Sequence, residues 1–457
     1  MTSASTENRG VKLAILGGGG FRVPQVIQAV AAADAPVRVS QVSLYDTDTD
    51  RLAAISAVIE GLLPGLPDAP EVTATTDLDT AVEHSDFVFC AIRVGGTEGR
   101  TRDERVALDL GILGQETTGP GGLAYALRTL PVMLDIAARV KEKAPDAWFI
   151  NFTNPAGIIT EGLRTVLGDR VVGICDTPIG LLRRAALAVT GQPEASEFDY
   201  VGLNHLGWLR SFTVDGRDRL PELLGDEAKL DTIEEARVVG KDWVRALGAL
   251  PNEYLYYYYD NREAVARIRS EEQTRGEFLL DQQAGFYASA TTDPEEAYAL
   301  WQRVKHEREA TYMAEGREKG QEAERDEADI ESGGYQEVAL NIMAALRTGR
   351  PSTMILNVRN GSTVPGLPEE CVVEVPCTVD ATGIHPHSIA PVTGHMLALM
   401  QSVKAVEQLI IASVLQRDPE LAWKAIAVHP LVDSVNVARE LLERYREVHP
   451  ELGQLFG

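Results

Sequence analysis

Residues 11–30 read VKLAILGGGGFRVPQVIQAV. The opening VKLAIL is an apolar run of strand length, Gly17, Gly18, Gly19 and Gly20 form an unbroken glycine turn, and Val26, Ile27, Val30 and Ala31 then recur at helical spacing. Strand, glycine turn and helix in that order make the first unit of a sheet with helices packed on its faces. Further along, a second strand is expected at residues 42–45, a helix at 51–63 and a third strand at 87–92. Such a βαβαβ order implies parallel strands joined by right-handed crossovers.

The alternation continues with helices expected at 130–143, 158–166 and 180–189 and strands at 148–153 and 171–175. Beyond residue 195 the pattern changes: paired antiparallel strands are expected at 200–214, and mainly helical segments at 321–349 and 394–445. The fold class is therefore α/β, with a doubly wound Rossmann-type parallel sheet over residues 1–195 and a mixed α+β domain over 196–457. The charged run Lys305, His306, Glu307, Arg308 and Glu309 reads as a solvated helix face. Residues 1–9 and those after His449 read as frayed ends.

The chain has 457 residues, with 43 Lys plus Arg against 68 Asp plus Glu, a formal charge of −25. So acidic a balance gives no general attraction for phosphate backbones or anionic lipid, and neither nucleic acid nor membrane is expected as a partner. No window approaches the roughly 18 consecutive apolar residues of a membrane span, and the start MTSASTENRG lacks the apolar stretch of a secretory signal. Cys90, Cys175, Cys371 and Cys377 are too few for a disulfide framework and form no CxxC pair. A cytoplasmic protein working on small molecules is the expectation.

Residues that could carry chemistry fall into groups. The glycine turn lets a backbone approach a pyrophosphate, the helix start after it supplies donors, and Asp46 at the next strand end can accept hydrogen bonds from a ribose. The spacing suits a nicotinamide dinucleotide, although Arg22 stands where a GxGxxG pattern has its third glycine, and a merely tight turn is the alternative. A second group lies at later strand ends: Asn151 and Asn154 in NFTNP, Cys175 and Asp176 in CDTP, Asn204 and His205 in LNHLGW. Carboxyl ends of strands face the ligand crevice of such sheets, and a thiolate with an imidazole can hold a divalent ion. Taken singly, Cys175 reads first as a small core residue and His205 as a structural histidine.

Tyr254 opens the aromatic run YLYYYY, with Arg275 further on. A tyrosine serves as a general base only where something nearby, such as a divalent cation, lowers its pKa. The run itself reads first as a half-buried strand or packing surface. Arg93, Arg100, Arg102 and Arg105 offer guanidinium forks for phosphate or carboxylate, with an ion-pair network through Glu98, Asp103 and Glu104 as the competing reading.

Taken together, LGGGGFRVP, LYDTD, IRVGGTEGRTRDER, GQETTGPGGLAYALRTLPV, NFTNPAGIITE, GICDTPIG, GLNHLGW, LPNEYLYYY, QTRGE and NVRNGS resemble, in order, the motifs of glycoside hydrolase family 4. These are the NAD- and manganese-dependent glycosidases, and the likeness is strongest to the 6-phospho-β-glucosidase branch. The resemblance implies Cys175 and His205 as metal ligands, Tyr254 as base, and Arg100, Asn154 and Arg275 as substrate-binding residues. Gly17 to Gly20, Asp46 and Arg22 fall on the dinucleotide site. It implies a redox route in place of the usual pair of carboxylates: hydride transfer from sugar carbon 3 to NAD, proton removal from carbon 2 by Tyr254 with the metal as Lewis acid, loss of the aglycone, water addition and return of the hydride. Residues 196–457 would carry the substrate, metal and oligomerisation contacts of a homodimer or homotetramer, and the apolar segment 396–414 is either a partner surface or an internal helix.

One motif departs from that branch. CDTP places Asp176 after the cysteine, as in the α-glucoside branch, where that residue is a leaving-group acid, whereas NFTNPAG and LNHLGW resemble the β branch. The reading is a 6-phospho-β-glucosidase with Asp176 as acid. The alternatives are a 6-phospho-α-glucosidase or α-galactosidase-like member, a dehydrogenase of malate or lactate type, and a catalytically silent sensor.

Overall fold

The structure, a computed structural model, describes residues 10–290, 293–310 and 334–457. In chain order its strands are β1 (Val11–Leu16), β2 (Val39–Tyr45), β3 (Glu71–Thr75), β4 (Phe87–Cys90), β5 (Trp148–Asn151), β6 (Val171–Gly173), β7 (Glu197–Leu203), β8 (Leu206–Val214), β9 (Arg217–Asp218), β10 (Leu250–Pro251), β11 (Ser352–Arg359), β12 (Val372–Asp380) and β13 (Gly383–Pro386). β1 buries every side chain but Lys12, as a strand covered on both faces must. It pairs in parallel with β2 on one side and β4 on the other. The parallel order β3-β2-β1-β4-β5-β6 is the Rossmann order, with a topological switch, and hence a crevice, between β1 and β4.

Local chemistry explains most helix starts. The helix Val23–Val30 has Pro24 in its first turn, where no backbone N–H is missed, and Thr49–Leu62 starts at Asp48, whose carboxylate accepts from the amides of Asp50 and Arg51. The helix Pro120–Lys143 starts earlier than the expected residue 130, because Gly121 and Gly122 are sites of close approach and not breakers. A Cβ there would lie 2.3 Å from the Gln115 carbonyl oxygen and 2.4 Å from that of Thr117. β3 was not expected, since the sequence EVTAT makes a mostly exposed edge strand with no apolar run.

The sheet does not stop at residue 195, which lies between the helix Thr177–Thr190 and β7. β11 pairs antiparallel with β6 and continues the sheet through β12, β7, β8 and β10, while β9 and β13 attach to β8 and β12. The antiparallel pair expected at 200–214 is β7 with β8. The aromatic run is not a strand: residues Glu253–Leu255 form a 3-10 turn and Tyr256–Tyr259 a helical turn. Of the helical segment expected at 321–349, the helix Tyr335–Thr348 is seen, and residues 321–333 lie outside the described residues, as do 1–9. The C-terminus is not frayed, because the helix Pro450–Phe456 docks through buried Leu452. The helix Gly394–Gln416, apolar and long enough by composition to cross a membrane, turns Met400, Val403, Val406 and Ile410 into the core and buries Lys404 against Glu161 and Glu407.

Candidate active site

Beyond the carboxyl ends of β1, β2, β4 and β6 lies a cavity of about 1890 Å³. That is roughly twice the upper size of an ordinary small-molecule pocket, room for a dinucleotide and a second ligand together. At one end it is lined by Gly17, Gly20, Arg22 and Asp46; at the other by Arg100, Asn154, Cys175 and Asp176, with His205, Tyr254 and Arg275 beside them. Expected residues from eight separated motifs thus line one cavity, and Gly18 and Gly19 lie in the turn just behind the lining.

What the four glycines supply is space, not donors. The amides of Gly17 and Gly18 both donate to the Tyr45 carbonyl, at 2.9 and 2.7 Å, Gly20 donates to the Gly17 carbonyl at 2.9 Å, and Gly19 donates to Asp46 Oδ2 at 2.9 Å. Gly17 has φ 87°, and a Cβ on it would come within 2.7 Å of the Ala91 carbonyl; one on Gly18 would lie 2.8 Å from Leu44 Cβ. The turn is wedged between β2 and β4. Asp46 both ties the turn down and keeps lone pairs for a sugar hydroxyl. A bare backbone beside a strand-end carboxylate fits a nicotinamide dinucleotide.

His205 sits in the two-residue connection between β7 and β8 at φ 62°, a conformation that non-glycine residues adopt at a cost and often at functional sites. Its Nδ1 is 3.0 Å from Thr117 Oγ1, and its ring stacks on Tyr254 with centroids 3.8 Å apart and planes within 4°. Burial lowers its pKa to about 4, against the pull of Glu116, so the imidazole is neutral, the form that binds metals. With Nδ1 engaged by Thr117, Nε2 is the ring nitrogen that could hold a metal. Cys175, just after β6, is buried, and its thiol is pushed well up by burial and then by the nearby Glu374 and Asp176 carboxylates. Only a bound cation would hold it as thiolate at neutral pH. Among the described residues no group of three or more His, Cys, Asp and Glu side chains is arranged to hold an ion. Cys175 and His205 line the same cavity, and a thiolate with an imidazole suits a divalent cation whose remaining positions substrate oxygens would fill.

Arginines gather at the same end. Buried Arg100 pairs with Glu104 at 2.7 Å and with Glu116 at 2.9 Å, and Arg93 also pairs with Glu116. Burial alone would raise the Glu116 carboxyl, but Arg100 and Arg93 hold it down at about 2. Arg105 instead pairs with Glu277 and Arg102 lies exposed against the Val448 carbonyl, so the arginine cluster divides between cavity and surface. The charged run at 305–309 is not simply a solvated face: Arg308 turns into the cavity, and its pKa is lowered to about 9 by burial and then by Arg22 and Arg275.

Several residues at this site were not picked out from the sequence: Glu116, Thr117, Arg308 and Glu374. Glu374 lies on β12 and is fully buried; its carboxylate accepts from Asn357 at 2.8 Å, Tyr200 at 3.2 Å and Asn204 at 3.4 Å, and burial raises its pKa to about 7. A lone charge inside the apolar run VVEVPC was the signal that could have found it.

Residues 12–190 match the model for the family 4 glycosyl hydrolases, and residues 200–432 match that for their C-terminal domain. The chain is 29% identical to a 6-phospho-beta-glucosidase of Thermotoga maritima over 97% of this chain and 100% of that protein. It is 28% identical to a maltose-6'-phosphate glucosidase of Bacillus subtilis over 98% of each. The structure of the Thermotoga maritima 6-phospho-beta glucosidase with manganese, NAD+ and glucose-6-phosphate superposes with a TM-score of 0.81 at 26% identity, covering 97% of this chain and 99% of that one.

Proposed function

The chain belongs to glycosyl hydrolase family 4, and from that premise we propose that it hydrolyses 6-phospho-β-glucosides with NAD and a divalent cation, Mn²⁺ or a close neighbour, as resident cofactors. The observation that carries the reading is the single cavity with the glycine turn and Asp46 at one end and Cys175, His205, Tyr254 and arginines at the other. Relatives named as 6-phospho-β-glucosidases, one of them solved with manganese, NAD+ and glucose-6-phosphate, support it.

When bound, the nicotinamide takes up and returns a hydride at sugar carbon 3, and the cation polarises the oxygens on carbons 2 and 3. The chain's own groups do the rest. Arg100, Arg275 and Asn154 hold the sugar, and Cys175 and His205 fix the face on which its vicinal oxygens lie. Tyr254, parallel to the His205 ring, takes the proton on carbon 2, which a carbonyl at carbon 3 makes acidic. Asp176, next in sequence to Cys175 and also in the cavity, gives a proton to the departing glycosidic oxygen. Water then adds at carbon 1, the carbon-2 proton is restored and the hydride goes back, so no NADH accumulates. All four cysteines are buried as free thiols, which supports a reducing, cytoplasmic setting.

The same Asp176 supports a second reading, cleavage of 6-phospho-α-glucosides, and one relative is named a maltose-6'-phosphate glucosidase. Matched nitrophenyl 6-phospho-α- and 6-phospho-β-glucosides, incubated with NAD and Mn²⁺ under reducing conditions and with each omitted in turn, decide between them. The β substrate is expected to be cleaved faster, with solvent deuterium entering carbon 2. Preference for the α anomer reverses the stereochemical assignment, turnover without NAD removes the redox route, and net NADH would point to a dehydrogenase.

A further inference from the structure

One register row crosses five strands. Gly173 on β6 pairs with Asn357 on β11, Asn357 with Glu374 on β12, Glu374 with Gly202 on β7, and Gly202 with Gly207 on β8. Cys175 follows shortly after the first residue of this row, and His205 lies in the connection between its last two strands. At the far end the Gly207 carbonyl accepts from the amide of Asn252, just before Tyr254, at 2.8 Å. The proposed metal ligands and the proposed base are thus all anchored on one line of backbone. Glu374 is its centre and its only charge.

The row is built around that side chain. A Cβ on Gly173 would lie 2.8 Å from Asn357 Cβ, and one on Gly207 would meet the Tyr200 hydroxyl at 2.3 Å. Admitted by these glycines, Asn357 Nδ2 and Tyr200 Oη donate to Glu374 at 2.8 and 3.2 Å, and Asn204 Nδ2 donates at 3.4 Å. Each donor stands next to a residue of the site. Asn204 precedes His205, and Asn357 presses on the strand that leads into Cys175. The Tyr200 hydroxyl also meets the side chain of Asn252, whose Oδ1 accepts from the Tyr254 amide at 3.0 Å. Among the described residues no cation pairs with this fully buried carboxylate, an expensive arrangement that an apolar residue on β12 would avoid.

Resting on the reading of a metal-dependent glycosidase, we propose that Glu374 is a positioning residue: through Asn204, Asn357 and the Tyr200 and Asn252 pair, its carboxylate fixes His205, Cys175 and Tyr254 relative to one another. What it supplies is acceptor oxygens at a fixed place, and not a charge. Both asparagines donate to Oε1 and Tyr200 to Oε2. A Gln in its place keeps an oxygen for the asparagines and turns its NH₂ to the Tyr200 oxygen, whereas Leu leaves three donors unmet.

The test uses the full chain with the variants Glu374→Leu and Glu374→Gln. Mn²⁺ is titrated against the NAD-loaded protein by the paramagnetic resonance of the unbound ion, a readout independent of turnover. Glu374→Leu should weaken Mn²⁺ binding by about 10- to 100-fold and lower kcat at saturating Mn²⁺ by about 100-fold, and Glu374→Gln should restore both to within about 5-fold. NAD affinity, titrated without metal, should stay within about 3-fold and so reports that the variants are folded. A Leu variant with full Mn²⁺ affinity overturns the proposal. So does a Gln variant as damaged as Leu, because charge and not placement would then be what counts. If Glu374→Leu also loses NAD binding, the single branches decide: Asn204→Ala should weaken Mn²⁺ by about tenfold, Tyr200→Phe should slow carbon-2 deuterium exchange by about tenfold at unchanged Mn²⁺ affinity, and the proposal falls if either does not. Should the unmodified chain bind no Mn²⁺ and cleave no glycoside, the metal-dependent reading fails on its own, and placement is decided by NMR of ¹³C-labelled histidine. The His205 ring signal, identified with His205→Gln and shifted by the stacked Tyr254 ring, must move in Asn204→Ala, and a signal that stays put overturns the proposal.

Discussion

The two ends of the one cavity are built by different means. At the dinucleotide end the wall is backbone: a four-glycine turn whose amides are tied to Tyr45, Gly17 and Asp46, with the carbonyls of Gly19 and of Phe21 and Arg22 after it capped by Tyr287 at 2.8 Å, Trp301 at 2.8 Å and Tyr335 at 3.1 Å. At the proposed sugar end the wall is made of side chains that arrive on unrelated elements, Cys175 after β6, His205 between β7 and β8 and Tyr254 from a 3-10 turn. A backbone site tolerates changes of chemistry but not of volume, whereas a side-chain site tolerates changes of volume but not of chemistry.

The sharpest way to break that contrast is Tyr254→Phe, which removes one hydroxyl and hardly alters packing against His205. Loss of a general base costs about 10²- to 10⁴-fold in kcat, and NAD affinity should not move. Carbon-2 deuterium exchange, measured on its own, should vanish with kcat. A variant that still exchanged at the original rate would show that another group takes the proton.

Next in size is the opposite manipulation, Gly18→Ala, which adds one methyl and no chemistry. Its Cβ would lie 2.8 Å from both Leu44 Cβ and the Tyr45 amide nitrogen, so β2 or the turn must shift. Overpacking of this kind costs about 1–3 kcal/mol, and NAD binding should weaken by on the order of tenfold while kcat at saturating NAD holds. A fall in kcat with NAD affinity intact would erase the distinction between the two ends.

The same contrast explains what could be read from the chain. β1, the glycine turn and the helix Val23–Val30 are contiguous, and their pattern of strand, turn and helix is set by neighbours in sequence, so they were legible. So was the convergence of strand ends, because a parallel sheet puts them all on one edge. Arg308 was not, since a helix in a highly charged segment gives no local sign of which guanidinium faces inward. Glu374 was hidden by its own strand, where register alone, opposite Asn357 and Gly202, brings it beside the asparagine preceding His205. Of the two readings of the tyrosine run, packing surface holds, since Tyr254, Tyr256 and Tyr257 are buried in one cluster, and strand fails, because Asn252, accepting from the Tyr254 amide at 3.0 Å, starts a helical turn instead.

The smallest effect separates the sugar end from the core behind it. His205 and His429 are both buried, and burial lowers each pKa to about 4, below the usual histidine value near 6.5 in an unfolded chain. Between those values the unfolded chain binds more protons than the folded one, so stability is fully present above about pH 6.5 and is lost as pH falls toward 4. From pH 7 to 5.5 each histidine should cost about 1 kcal/mol, visible as a falling Tm. His429 accepts from the Leu431 amide at 3.1 Å, and His429→Asn retains an acceptor that does not titrate, so it should remove about half of that slope. Saturating Mn²⁺ should leave the His205 share of that slope in place, since it comes from a proton taken up by the unfolded chain, and should instead raise Tm, more at pH 7 than at pH 5.5, because a cation held by Cys175 must displace the thiol proton. A Tm that Mn²⁺ moves at neither pH would mean that no cation is held there, and the metal-holding role proposed for the sugar end would lose its support.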